Sequence, residues 1–336
     1  MNIPEVKMEY FWLVFGFVLL IVGADIFVEG SSSLAKRFKI PTIIIGLTIV
    51  AFGTSMPEAS VSVSAALEGA NDIAVSNVIG SNILNLLVVL GASALICPVK
   101  SNDTAIKHEI PFSIILTAVF GAIIAFGIKL PEGLTGIKAV LNSNFRIGRL
   151  GGIVLLLFIV YYVYRQVKNA LKAMKTGEIQ DEEDEGQPVA LSMALKMMVL
   201  GLFAIVMGGN YVVDSACIIA KNFGMTEHFI GLTIIAIGTS LPELVTSVIA
   251  ARKGESDIAL GNVIGSNVFN IAFVLGSSAT ISPITVNIIS VYDVLILLFV
   301  SLLSWYFAKT QRRFSRWEGL TMLILYAVYC GYILVR

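Results

Sequence analysis

The chain has 336 residues, 57% of them hydrophobic and 14% charged, with 23 basic against 23 acidic side chains. A soluble domain carries about 25% charged residues, so the composition excludes a soluble globular protein. Apolar runs about 20 residues long, without period-2 alternation, exclude an outer-membrane barrel and indicate an all-α integral membrane protein. A net charge of zero and the lack of any basic block give no reason to expect a nucleic-acid partner.

In chain order the apolar runs predict ten transmembrane helices, at 11–29, 42–66, 73–97, 109–128, 148–165, 191–219, 229–251, 257–281, 286–308 and 315–335. The first, from Phe11 to Val28, has no basic region before it and no small-residue cleavage site after it, and is expected to be a retained helix. Cys97, Cys217 and Cys330 lie in or beside apolar segments without CxxC spacing, as packing residues do. One hydrophilic stretch, 166–190, separates five helices in residues 1–165 from five in 191–336. Its first half is basic (Lys168, Lys172, Lys175) and its second holds an acidic run, Asp181 to Glu185, without EF-hand spacing, which is expected to be solvated linker.

The two halves repeat each other. Gly46 to Asn85 aligns with Gly231 to Asn270 at an offset of 185 residues without a gap, and 25 of the 40 positions are identical. The same offset matches Gly23 with Gly208, Lys36 with Lys221, Gly91 with Gly276, Pro98 with Pro283 and Asn102 with Asn287. After an insertion at 128–146, Arg149 and Gly152 correspond to Arg316 and Gly319 at a shorter offset. A duplicated unit of five helices enters the membrane from opposite faces, which makes the expected fold two inverted five-helix repeats. Lys and Arg number 15 in the odd-numbered loops against about seven in the even-numbered loops and termini. Both termini are therefore expected outside and the 166–190 linker in the cytoplasm, although Lys129, Lys138, Arg146 and Arg149 count the other way.

Each repeated stretch holds one intramembrane glutamate, Glu58 or Glu243. A carboxylate in hydrocarbon is costly by about 3 kcal/mol or more, so such a residue faces the protein interior and marks function. Thr54 and Ser55 stand one turn from Glu58, as Thr239 and Ser240 do from Glu243. Pro57 and Pro242 precede the glutamates, and a proline withholds an N–H from the preceding turn. Main-chain oxygens around Ala51 to Gly53 and Ala236 to Gly238 are expected to be freed, to be satisfied by a bound cation. A kink serving packing alone is the other reading of an isolated proline, and the identical GTSxPE in both halves weighs against it. The following helices carry Asn77, Ser81 and Asn85, and Asn262, Ser266 and Asn270, spaced by four. Gly80 and Gly265 beside them would admit close neighbours, and the stripe is either interhelical hydrogen bonding or the second wall of the site. Asp72 and Asp257 are expected as N-caps. Two carboxylates with hydroxyl, amide and carbonyl oxygens, and neither His nor Cys, suit a hard cation such as Ca²⁺ or Na⁺.

At these residues the sequence resembles the sodium/calcium exchangers of the cation/calcium antiporter superfamily, in particular the short prokaryotic members. GTSxPE followed by GSN, twice, is that family's pattern, and the ten-helix organisation extends the resemblance over the whole chain. The resemblance implies cation ligands at Glu58, Thr54, Ser55, Ser81 and Asn85, at Glu243, Thr239, Ser240, Ser266 and Asn270, and at the carbonyls of Ala51 and Ala236. It implies that the first and sixth helices slide as a gating pair. Some members carry aspartate where this chain has Asn270, which leaves the coupling ion and stoichiometry open.

The expected function is Na⁺/Ca²⁺ antiport by alternating access in a prokaryotic plasma membrane. The alternatives are Ca²⁺/H⁺ exchange at the same site and, in a different class, a cation channel. No serine–histidine or paired-aspartate constellation and no nucleotide-binding loop is present, so neither an enzyme nor an ATP-driven pump is expected. The transported ions and the bilayer are the expected partners, with no cofactor and no obligatory protein partner. Asp25 and Glu29, with Asn210 and Asp214 opposite, are read as helix-end polar groups in preference to an ion pathway. His108 and His228 are given no role.

Overall fold

The computed structural model describes residues 3–129, 144–176, 188–225, 234 and 236–335. The first repeat begins with α1 (Ile3–Phe38), followed by α2 (Thr42–Thr54) and α3 (Met56–Leu67). Helix α4 runs from Asn71–Leu84 through a π turn, Asn85–Val89, into Leu90–Ile96. Helices α5 (Ala105–Phe126) and α6 (Arg149–Thr176) complete the half. The second begins with α7 (Leu191–Asn222), then the short α8 (Ala236–Gly238), α9 (Leu241–Arg252) and α10 (Ser256–Ile281), which passes through a π turn at Asn270–Leu275. It ends with α11 (Ile288–Gln311) and α12 (Arg316–Val335). Among the described residues eight helices are long and apolar enough to cross a membrane, and the bent pair α2–α3 makes a ninth. The remaining expected span, 229–251, begins outside the described residues and continues in α8 and α9. The acidic run Asp181 to Glu185 and His228 also lie outside them.

The second expected span is two helices. Ser55 has φ −83° and ψ 6°, so the chain turns there and restarts at Met56, with a bend of 49°. Pro57 falls in the first turn of α3, where its missing N–H has no helical partner to lose. Ser240, at φ −93° and ψ 6°, breaks the chain in the same way ahead of Pro242. A broken helix at membrane depth survives only when wrapped in protein, and Ser55 and Ser240 at the two breaks are buried. The most apolar stretch of α10 is 94% buried and that of α4 72%, against 33% for α1 and 28% for α7. Helices α4 and α10 are therefore the centre, and α1 and α7 lie outside with Phe11, Val14, Val18, Ile21 and Val22 of α1 exposed to lipid.

The halves interlock through glycines. A Cβ on Gly16 would stand 2.8 Å from the Gly208 oxygen, and one on Gly201 would stand 2.7 Å from that of Gly23. Gly16 and Gly201 are repeat equivalents, as are Gly23 and Gly208, so α1 and α7 pack antiparallel along a seam where backbones touch. The last helix of each half packs on the third-span helix of the other: Gly91 of α4 faces Gly319 of α12, and Gly276 of α10 faces Gly152 of α6.

Short strands, which the sequence does not announce, repeat that exchange. β1 (Val99–Lys100) pairs with β5 (Arg313–Phe314), while β3 (Asn144–Ile147) joins β2 (Ile128–Lys129) to β4 (Ile284–Val286), all antiparallel. Val99 and Ile284, one repeat apart, are both fully buried in these ribbons.

Candidate cation site

Each glutamate sits in the first turn of a half-helix, Glu58 in α3 and Glu243 in α9, where the positive end of the helix dipole favours a negative charge. Both are fully buried. Glu58 Oε1 accepts from Ser240 Oγ at 3.0 Å and Ser81 Oγ at 3.3 Å. Glu243 Oε1 accepts from Ser55 Oγ at 3.0 Å and Ser266 Oγ at 3.5 Å. Every carboxylate is thus held by one serine from the opposite half's bend and one from its own repeat's inner helix. Ser81 and Ser240 also meet at 2.9 Å, closing the cage across the inverted symmetry.

The stripes on α4 and α10 divide by role. Asn77 Nδ2 donates to the Glu58 main-chain oxygen at 3.4 Å and to Ser62 Oγ at 2.9 Å. Asn262 Nδ2 donates to the Glu243 oxygen at 3.5 Å and to Ser247 Oγ at 3.0 Å. These amides brace the turns that carry the glutamates. Asn85 and Asn270, at the start of the π turns, are fully buried and lie with Asn82 and Asn267 in a cluster of four amides. Asn82, Asn267, Ser62 and Ser247 were not singled out from sequence, yet each is identical to its partner 185 residues away. That identity was the available signal.

The two bends differ in detail. The Thr54 hydroxyl lies 3.0 Å from Asn262 Oδ1, to which it donates, with the Val50 oxygen at 3.2 Å. The Ala51 oxygen, expected to be released, accepts from Ser55 N at 3.1 Å and lies 3.4 Å from Ser266 Oγ. One of its lone pairs is therefore engaged by the backbone, because its i+4 donor is Ser55 N, ahead of the break, whereas the N–H that Pro57 lacks would answer Gly53. Ser240 N instead donates to the Ile237 oxygen at 3.1 Å. Gly265 comes close to Ala51 and Leu47, 2.6 Å from where its Cβ would stand, as expected. Gly80 has open space among the described residues.

Five oxygens at this centre are buried and have no hydrogen-bond partner among the described residues: Glu58 Oε2, Glu243 Oε2, Asn85 Oδ1, Asn270 Oδ1 and Thr239 Oγ1. Native interiors leave few such atoms unsatisfied. Among the described residues no group of three or more His, Cys, Asp or Glu could hold a metal, so the cation chemistry here is two carboxylates with neutral oxygens. That donor set fits a hard cation and offers nothing to a soft one.

Other expectations fare differently. Asp257 is not an N-cap: it lies in the first turn of α10 and accepts from Asn102 Nδ2 at 2.8 and 3.0 Å. The caps are Asn102, whose Oδ1 accepts from Ala105 N at 2.8 Å, and its equivalent Asn287, accepting from Ser290 N at 2.9 Å. The side chain of Asp72 lies outside the described residues. Asp25 and Glu29 do not end a helix, because α1 continues to Phe38; Lys253 lies 2.9 Å from Asp25 Oδ1 and 3.4 Å from Glu29 Oε2. The three cysteines are free and half-buried.

The family model of the sodium/calcium exchanger protein matches residues 8–168 and 193–335. Among known proteins, the chain is 40% identical to the putative antiporter CaxA of Alkalimonas amylolytica over 94% of this chain and 95% of that protein. It is 31% identical to the sodium/calcium exchanger MaX1 of Methanosarcina acetivorans, over 96% of this chain and 98% of that one. Among solved structures it superposes on the sodium-calcium exchanger NCX_Mj, a ten-helix membrane exchanger, with a TM-score of 0.80 and 30% identity, covering 97% of this chain and 99% of that chain. The cage of serines around two buried glutamates thus lies on the fold of an exchanger, and the chain belongs to the sodium/calcium exchanger family.

Proposed function

We propose that the cation/calcium antiport of this chain is driven by Na⁺ and works by alternating access at the caged glutamates. The ligands are Glu58, Thr54, Ser55, Ser81 and Asn85, Glu243, Thr239, Ser240, Ser266 and Asn270, and the carbonyls of Ala51 and Ala236. The observation that carries this reading is the set of five buried oxygens without a partner among the described residues, around two fully buried glutamates. Two carboxylates balance one Ca²⁺, or are shared among Na⁺ ions, so the two cations compete for one set of oxygens. That competition is exchange. Residues 1–165 and 191–336 act as the inverted repeats, with both termini outside a prokaryotic plasma membrane and the 166–190 linker in the cytoplasm.

The test is ⁴⁵Ca²⁺ uptake into proteoliposomes loaded with Na⁺ and diluted into Na⁺-free buffer, with pH clamped on both sides and Glu58→Gln and Glu243→Gln as controls. Uptake that needs internal Na⁺ and vanishes in both variants is expected. Uptake indifferent to Na⁺ but driven by an imposed pH gradient would replace the coupling ion with H⁺ and keep the site. Single-channel currents would replace the antiporter with a channel.

A further inference from the structure

The four buried amides form a network whose orientation is fixed by backbone. Asn82 Nδ2 donates to the Asn267 main-chain oxygen at 3.1 Å, and Asn267 Nδ2 donates to that of Asn82 at 3.3 Å. A main-chain carbonyl only accepts, so each of these side chains must present its NH₂ to the other's backbone and turn its Oδ1 away. Those two Oδ1 atoms then meet amide donors. Asn267 Oδ1 accepts from Asn85 Nδ2 at 3.2 Å, and Asn82 Oδ1 accepts from Asn270 Nδ2 at 3.0 Å. A planar amide has one donating and one accepting end, so spending Nδ2 in this way directs the opposite end. The opposite ends are Asn85 Oδ1 and Asn270 Oδ1, two buried oxygens without a partner among the described residues.

We propose that Asn82 and Asn267 are positioning residues: without touching the ion, they lock Asn85 and Asn270 with their carbonyl oxygens toward it. The inference rests on the reading of Asn85 and Asn270 as cation ligands. It explains why four neutral amides are buried where two would suffice as ligands. A free Asn85 presents NH₂ or C=O to the cation with similar ease, and an NH₂ end opposes a cation. The two locks are unequal. Asn270 Nδ2 has a second acceptor in Ser81 Oγ at 3.3 Å, whereas among the described residues Asn85 Nδ2 donates to Asn267 Oδ1 alone. The Asn85 arm is therefore the sensitive one.

A carboxylate accepts at both ends and has no wrong orientation, which supplies the test. Ca²⁺ affinity is measured by calorimetric titration of the purified full chain in detergent for the parent, Asn267→Leu, Asn85→Asp and the double variant. Asn267→Leu is expected to weaken Ca²⁺ about tenfold in the parent, about the loss of one well-made hydrogen bond to the ion's ligand, and no more than about twofold in the Asn85→Asp background. A merely structural role loses the Asn267-to-Asn82 bond equally in both, so equal losses would overturn the inference while leaving the site intact. Asn85→Leu separates the two levels. Unchanged Ca²⁺ affinity in that variant would remove Asn85 as a ligand, and the inference with it. Should Asn267→Leu fail to fold, Asn82→Leu with and without Asn270→Asp runs the same cycle from the other repeat. A smaller loss is expected there, because Ser81 still holds the Asn270 amide, and equal losses in both backgrounds would again overturn the lock.

Discussion

Replacing Glu58 with glutamine removes a charge at nearly constant shape. Its Oε1 can still accept from Ser240 and Ser81, now at 3.0 and 3.3 Å, while an amide nitrogen takes the place of the unpartnered Oε2. A unit charge about 4 Å from a monovalent cation contributes about 4 kcal/mol at an effective dielectric of 20, and about twice that for a divalent one. Losing only about a third of the divalent figure weakens Ca²⁺ about a hundredfold. At a Ca²⁺ concentration 100 times its Kd, the parent is stabilised by about 2.7 kcal/mol, and a variant with hundredfold weaker binding by about 0.4 kcal/mol. The assay is thermal unfolding of detergent-solubilised protein with and without Ca²⁺, read on both proteins. The ion-free variant is expected to be no less stable than the parent, because two buried carboxylates no longer repel each other. Equal Ca²⁺ stabilisation in parent and Glu58→Gln would place the cation elsewhere. A variant that unfolds without Ca²⁺ would mean that Glu58 serves the fold.

Gly201→Ala puts a Cβ 2.7 Å from the Gly23 oxygen and the Phe27 nitrogen; it is expected to part α1 from α7 and cost about 1–3 kcal/mol in chemical unfolding, as overpacking does. Thr54→Val removes a hydroxyl that engages Asn262 and is expected to cost about 1 kcal/mol of stability, whereas Thr239→Val removes one without a partner among the described residues and should leave stability unchanged while weakening the cation. Fully buried Glu109 is paired with Arg165 and accepts from Gln166 Nε2 at 2.8 Å, so Arg165→Ala should destabilise by about 3–5 kcal/mol and the double variant Glu109→Leu/Arg165→Met by much less, both read by thermal unfolding.

The membrane class, the duplication and the two glutamates were legible because each is a pattern in composition or repetition. Hydrophobic run length identifies spans, and an exact 185-residue offset identifies equivalents without knowledge of contacts. The break at Ser55 was less legible. Pro57 announces a disturbance, but whether a helix bends or ends depends on the protein packed around the exposed backbone. The extensions of α1 to Phe38 and α6 to Thr176 escaped because hydropathy reports where lipid ends, while a helix continues into water as long as its residues favour it. Among the stripe residues, spacing by four placed Asn77, Ser81 and Asn85 on one face but could not divide them. Asn77 is spent on the turn below it, and only three-dimensional neighbours reveal that. Asn82 escaped because it lies off the stripe, although its identity with Asn267 marked it.

The departures from symmetry bear on transport as much as the symmetry does. In an inverted repeat the two faces exchange roles when the equivalent helices exchange conformations, so identical halves would give inward and outward states of equal energy. Here they are not identical. Lys253, at the end of α9, pairs with Asp25 and Glu29 of α1. The equivalent of Lys253 is Glu68, and the equivalents of Asp25 and Glu29 are Asn210 and Asp214. The opposite end of the repeat therefore offers a carboxylate to an amide and another carboxylate, and cannot form the same cross-link. The Lys253 partners are about half exposed, at 49% and 53%, which limits each pair to about 1 kcal/mol or less. A bias of that size is small enough for ion binding to overturn. Thr54 engages Asn262 whereas Thr239 Oγ1 is buried without a partner among the described residues, so the α8–α9 bend is the one that keeps an unspent hydroxyl.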